Sequence, residues 1–296
     1  MPAQILPPLG GIRLENIAFV LVNPKNPGNV GGVARAIKNM GFQDLRMVNP
    51  RPVNWLDAIH MACGAEDLLE EARIETSLAD ALLDIHWVVG TTARRRRYKK
   101  NISSPQEIAQ AVASISRENK IAFLFGSEKY GLTTEEMSFC HQAVTIPTQE
   151  GFCSLNLSQA VMVIAWELFR IQENPFSHQP SQPQPSQSQS SHPQSSHPPQ
   201  PKLACQRELQ DLFVHLEQVL KEIEFIAQEN TRHMMLLLKE MIYQKALTSK
   251  EVTILRGILR QVQRLGNLSA SHFSPNHPST SHDEILNHDE ISNHST

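Results

Sequence analysis

Between Ile17 and Pro147 the short apolar runs "IAFVLV", "DLRMV", "HWVVGTT", "IAFLFG" and "AVTIP" alternate with longer amphipathic stretches. That alternation restricts the chain to few folds. Short runs dominated by apolar residues read as strands buried on both faces. Between them "VGGVARAIKNMG", "WLDAIHMACGAEDLLEEA", "SLADALLD" and "SPQEIAQAVASISRE" place apolar residues at helical spacing. The pattern predicts an α/β domain: a parallel sheet covered by helices on both faces. In such sheets ligands bind beyond the carboxyl ends of the strands, so the loops starting near Asn23, Thr91, Gly126 and Pro147 should converge.

A compositional break ends this region. From Pro175 to Pro201 every residue except Phe176 is Pro, Ser, Gln or His. Nothing there can bury enough apolar surface to offset its ordering entropy. The sequence therefore divides into an α/β domain over 1–172, a disordered linker over 173–202, a small all-α unit over 203–266 and a disordered polar tail over 267–296. In the all-α unit "LACQRELQDLFVHLEQVLKEIEFI", "TRHMMLLLKEMIYQKA" and "SKEVTILRGILRQVQRL" read as three helices, the last with capping-box spacing from Thr248 to Glu251.

Composition narrows the function classes. A net charge of -3 excludes a uniformly basic nucleic-acid binder but leaves local basic patches open. The four cysteines lack C-x-x-C spacing, and most of the 13 histidines fall in the linker and tail, so no metal site is expected. No apolar run approaches the ~20 residues of a membrane span, and no signal segment is seen, so a cytoplasmic protein is expected, with no membrane partner.

The loops carry the chemistry. "NPGNVGGVAR", from Asn26 to Arg35, follows the first strand as a dinucleotide-binding turn would. Gly28, Gly31 and Gly32 have the wrong spacing for G-x-G-x-x-G, however, and the second strand ends at Asn49 and Arg51 rather than at an acid. What remains is Asn29 at the turn and Arg35 a turn and a half into the helix; taken alone, that is a helix start with a surface arginine. "ARRRRYKK" sets Arg94, Arg95, Arg96, Arg97, Tyr98, Lys99 and Lys100 immediately after a strand. A charge run is usually a solvated face, but one on a loop at the active edge of a near-neutral protein suits phosphates, with the tyrosine free to stack on a base. Two further strand-loop-helix segments, "FLFGSEKYGLTTEEM" and "IPTQEGFCSLNLSQAVMVIAWEL", contain Glu128 and the "SLNLS" turn.

Together with "NPGNVGGVAR", in this order and spacing, these segments resemble the three motifs of the SpoU branch of the SPOUT RNA ribose 2′-O-methyltransferases, over roughly Ile17 to Ile171. "LQDLFVHLEQVLKEIEF" and "LTSKEVTILRGILRQV" look like the helical extension of those members that modify the tRNA ribose two nucleotides before the anticodon. The resemblance implies a C-terminal trefoil knot, S-adenosylmethionine as cofactor, a homodimer, and tRNA as partner. By matched position Thr91, Thr92 and Ala93 line one side of the cofactor site, Gly126 and Ile146 its floor, and Cys153, Ser154 and Leu155 its cover. Arg35 stands beside the target ribose, and Asn29, Glu128, Ser154 and Asn156 fill the remaining polar motif positions as catalytic candidates. Arginine stays charged in proteins, so two roles are open for Arg35: a phosphate-assisted base, or an electrostatic clamp. A different RNA site, an idle RNA-binding relative and a nucleotide-dependent enzyme are the competing readings, the last two disfavoured by the intact cofactor loops and the glycine spacing respectively.

Overall fold

The computed structural model describes residues 11–51, 55–93, 102–152, 154–172 and 201–272. Cys153, the basic run Arg94 to Lys100, most of the expected linker and the polar tail from 273 onward lie outside the described residues.

The α/β domain runs β1 (Ile17–Val22), α1 (Pro27–Asn39), β2 (Asp44–Val48), α2 (Trp55–Ala62), α3 (Glu66–Glu70), β3 (Arg73–Glu75), α4 (Leu78–Ala81), β4 (Trp87–Thr91), β5 (Ile102–Ser103), α5 (Pro105–Ile115), β6 (Ile121–Phe125), α6 (Thr134–Ser138), β7 (Gln142–Val144) and α7 (Leu157–Gln172). The strands form one sheet in the order β3-β2-β1-β6-β4-β7-β5, and every neighbouring pair is parallel. Successive side chains alternate faces. Phe19, Leu21, Phe123 and Phe125 point into one core with residues of α1, α5 and α7, while Ala18, Val20, Val22 and Leu124 point into the other with Leu82, Ile85 and Met137. Phe19 anchors the first core, its ring 5.1 Å from Phe42 and 6.0 Å from Phe123.

Register decides which loops meet. Leu21 pairs with Phe125, Gly90 with Leu124, and Thr91 with Val144. The segments after β1, β6, β4 and β7 therefore leave the sheet side by side at its carboxyl edge.

The all-α unit consists of α8 (Gln206–Glu222), α9 (Thr231–Tyr243) and α10 (Ser249–His272), which continues past the expected boundary at 266. Its core gathers Leu209, Leu212, Phe213, Met235, Tyr243 and Val252. It docks at the opposite, amino edge of the sheet. A helix start leaves N–H groups without intrahelical acceptors; here Gln206 N donates to Ile85 O at 2.8 Å and Arg207 N to Leu83 O at 3.2 Å. Leu203 N donates to Asn119 Oδ1 at 2.8 Å, and the Leu203 side chain joins the main α/β core. The Tyr243 ring meets His141 edge-on at 5.1 Å.

Candidate active site

Three loops build the site, and each is fixed by its own local chemistry. After β1 the chain turns through Asn23 with φ of +52°, a left-handed conformation that asparagine tolerates better than most residues. Asn26 then caps α1, its Oδ1 accepting from Gly28 N at 2.8 Å and Asn29 N at 3.3 Å, with Pro27 at the first helical position. The stretch from Asn26 is thus the helix start that its glycine spacing pointed to, capped by Asn26 itself.

After β6 the chain makes a tight turn in which Gly131 N donates to Ser127 O at 2.8 Å. Gly131 has φ of +67°. A Cβ on Gly126 would lie 2.1 Å from the Gly131 carbonyl carbon, so only glycine admits this close return of the backbone. The turn aims Glu128 at the loop before α1, where its carboxylate accepts from Lys25 N at 3.2 Å, Asn26 N at 3.0 Å and Asn29 Nδ2 at 3.0 Å. Partial burial alone would raise the Glu128 carboxyl, but the hydrogen bonds, Asn29's first among them, outweigh it and hold the group below the ordinary carboxylate range.

Before α7, Asn156 Oδ1 accepts from Ser158 N at 2.9 Å and Ser158 Oγ at 2.7 Å, serving as the cap of that helix. Its Nδ2 donates to Asn29 Oδ1 at 2.8 Å. Asn29 therefore receives from Asn156 and donates to Glu128, tying all three loops into one chain.

Beneath this chain lies a pocket of about 350 Å³. Thr91, Thr92 and Ala93 border it from the end of β4, Gly126 and Ile146 from the ends of β6 and β7, and Ser154 and Leu155 from the segment before α7. Glu128 borders it as well. Thr91 Oγ1 donates to Leu124 O at 2.8 Å and Thr145 Oγ1 to Thr92 O at 2.7 Å, which pins the β4 end to its neighbours.

Arg35 is exposed on α1, forms no hydrogen bond or ion pair with a described residue, and is not among the pocket-lining residues. Asn29 and Asn156 are not among the pocket-lining residues and connect to the pocket through Glu128, which is. Cys153 and the basic run lie outside the described residues. Residues not singled out from sequence also line the pocket: Lys129, Tyr130 and Leu132 from the β6 turn, Leu157 and Ala160 from α7. Their signal was position alone, since they flank motif residues in the same loops. Among the described residues no cluster of three or more His, Cys, Asp or Glu suits a metal, and no helix is long and apolar enough to cross a membrane.

Converging loops over a small pocket at the carboxyl edge of a parallel sheet define a ligand-binding α/β enzyme fold. Its class is more specific than that. The SpoU rRNA methylase family model matches residues 16–166, and the model for the C-terminal domain of the tRNA methyltransferase TrmJ matches 207–271. The chain belongs to the SpoU methylase family. It is 36% identical over 253 residues to the tRNA (cytidine/uridine/adenosine-2′-O-)-methyltransferase TrmJ of Pseudomonas aeruginosa, covering 85% of this chain and 95% of that protein. It is 34% identical over 255 residues to the tRNA (cytidine/uridine-2′-O-)-methyltransferase TrmJ of Escherichia coli K12, covering 85% of this chain and 96% of the other. The crystal structure of TrmJ from Z. mobilis ZM4 superposes with a TM-score of 0.68 at 29% identity, over 83% of this chain and 98% of that one.

Proposed function

We propose that the protein transfers a methyl group from S-adenosylmethionine to the ribose 2′-hydroxyl of a tRNA pyrimidine, the second nucleotide before the anticodon. The observation that carries this reading is the pocket lined by the second and third motif loops, to which the first is tied by the hydrogen bonds that join Glu128, Asn29 and Asn156. The names of the relatives, cytidine/uridine-2′-O-methyltransferases acting on tRNA, support the substrate.

The lining suits the cofactor. The volume of about 350 Å³ lies within the ~300–1,000 Å³ of small-molecule sites. Ile146, Leu155 and Leu157 offer apolar contact, and Thr91 and Thr92 offer polar groups. When bound, S-adenosylmethionine supplies a methyl group already activated by a sulfonium. The chain's own task is then alignment of the hydroxyl and management of its proton. Glu128 is a weak proton acceptor because N–H donors already occupy its oxygens, so its work is to hold the loops in register. Arg35, permanently charged and without a partner among the described residues, acts as the clamp on the ribose-phosphate. Ser154, exposed at the pocket border, adds a polar group there, and Asn156 acts on the site through its bond to Asn29.

Arg94 to Lys100 and the all-α unit bind the tRNA body, the segment around α7 is threaded as a trefoil knot, and the enzyme works in the cytoplasm as a homodimer. Support for the dimer comes from apolar surface on the helices that flank α1: Leu56 and Met61 of α2 are 64% and 52% exposed, and Trp166 of α7 is 44% exposed. A second copy of the chain is the occupant proposed for that surface.

The test has two arms. S-adenosylmethionine, and not NAD, should raise the melting temperature by mass action. Mapping 2′-O-methyl groups in tRNA from cells with and without the protein should show loss at one anticodon-loop pyrimidine. An unchanged map would sink the activity, and a loss at another nucleotide would correct the site.

A further inference from the structure

Tyr130 stands at the tip of the turn after β6, lines the pocket and is 57% exposed. Two ammonium groups attend its ring: Lys25 Nζ lies 5.2 Å and Lys129 Nζ 5.0 Å from the centroid. Neither lysine has a salt bridge with a described residue. The three residues come from two loops, yet they are held as one unit. Lys25 N donates to the Glu128 carboxylate, and Glu128 belongs to the same turn as Lys129 and Tyr130. That turn is closed by the Gly131 N to Ser127 O bond. With Glu128 fixed inward, Lys129 and Tyr130 are left on the exposed side.

We propose that Lys25, Lys129 and Tyr130 form the docking platform for the nucleotide that is methylated, or for its immediate neighbour in the strand, with the Tyr130 ring stacking on a base and the two lysines pairing with flanking phosphates. An exposed aromatic ring on a rigid turn loses little conformational freedom when a base stacks on it. Cation–π contacts are weak at exposed sites, so the ammonium groups are readily taken over by phosphate oxygens, which offer a full charge. Every base has a π-face, so the platform adds affinity and alignment without choosing the base. It places the RNA strand directly over the pocket mouth. The assignment rests on the tRNA methyl-transfer reading.

The experiment measures the affinity of the full chain for unmodified tRNA transcripts by fluorescence anisotropy, S-adenosylmethionine affinity by calorimetry, and steady-state methyl transfer, for Tyr130→Leu, Tyr130→Phe and the double variant Lys25→Met/Lys129→Met. Tyr130→Leu should weaken tRNA binding about tenfold or more, the range of base–aromatic stacking, and raise KM for tRNA in step. Cofactor affinity should fall by less than tRNA affinity, since Tyr130 is one of many residues that line the pocket, and Tyr130→Phe should restore tRNA binding because the ring rather than the hydroxyl is used. The double variant should flatten the dependence of log affinity on log salt by roughly one to two units, as two phosphate contacts are lost. Weakened cofactor binding with unchanged tRNA binding would assign Tyr130 to a cofactor lid and overturn the proposal. Unchanged tRNA affinity and salt slope in all variants would leave an ordinary surface pair and overturn it too. Binding is read independently of turnover, so a wild-type protein that binds tRNA through Tyr130 but transfers no methyl group would refute the enzymatic reading and leave the platform standing.

Discussion

Arg35 and Glu128 are two charged residues used in opposite ways. Arg35 is exposed and unengaged among the described residues, which is the condition the proposed clamp requires. Arg35→Ala should therefore abolish methyl transfer while cofactor affinity, set by the pocket that Arg35 does not line, changes little; near-normal turnover in this variant would remove it from the reaction. Glu128 is engaged on every side, and its depressed acidity has a consequence for stability. A carboxyl whose folded pKa lies below its unfolded value of about 4.3 stabilises the fold fully above that value and loses the contribution as pH falls through the folded pKa. Glu128→Gln keeps one acceptor but turns an amide donor toward backbone N–H groups, so it should cost roughly 1–3 kcal/mol in urea unfolding at neutral pH and blunt the acid loss. An unchanged midpoint would show that the loops are held by other means. In sequence, Asn29, Glu128 and Asn156 were legible as separate motif positions, but not as one chain of bonds, because Asn29 and Asn156 stand 127 residues apart. Tyr130 escaped notice because its meaning depends on Lys25, from a different loop.

Among the elements, those with a strong apolar period could be read directly and those without it could not. β1, β2, β4 and β6 are continuous buried runs and fall where the sequence puts them. β3 and β5 are short, at the sheet edges, and lack fully buried side chains, so no hydrophobic signal marked them. The helix read over Trp55 to Ala72 is divided into α2 and α3, because Cys63 and Gly64 take φ of +44° and +90°, which no right-handed helix accommodates. Helix contact is also encoded by absence: a Cβ on Gly31 would lie 2.1 Å from the Ala58 carbonyl oxygen and 2.9 Å from Met61 Cβ. Gly31→Ala must push α2 away from α1. Although alanine favours a helix more than glycine does, overpacking of this kind costs about 1–3 kcal/mol, so the variant should be less stable by thermal or urea unfolding. A more stable variant would mean that α2 moves freely.

At the scale of the whole molecule, the sequence divides off a helical unit after a polar linker, and the docking surface was not legible. Among the contacts that fix it are backbone carbonyls at Leu83 and Ile85, invisible to any residue pattern. The docking places the unit at the amino edge of the sheet, away from the pocket at the carboxyl edge. It also makes the α/β domain depend on residues beyond the linker, since Leu203 sits in the main core and Asn119 bonds to it. His86 belongs to the same junction: its Nδ1 accepts from Lys120 N at 3.1 Å, and burial, followed by the nearby Lys202 charge, lowers its pKa and keeps the ring neutral. A histidine whose folded pKa is depressed contributes stability fully above its unfolded value of about 6.5 and loses it as pH falls through that value toward the folded one. Two outcomes follow for one set of unfolding curves. Deleting residues 201–296 should lower the melting temperature of the α/β domain as well as remove the helices, and Leu203→Ala alone should cost about 2–4 kcal/mol. Intact protein should lose stability between pH 7 and pH 5 more steeply than the His86→Gln variant, which presents an acceptor that does not titrate. If the shortened chain melts at the temperature of the whole one, the helical unit is a tethered passenger rather than a part of the fold.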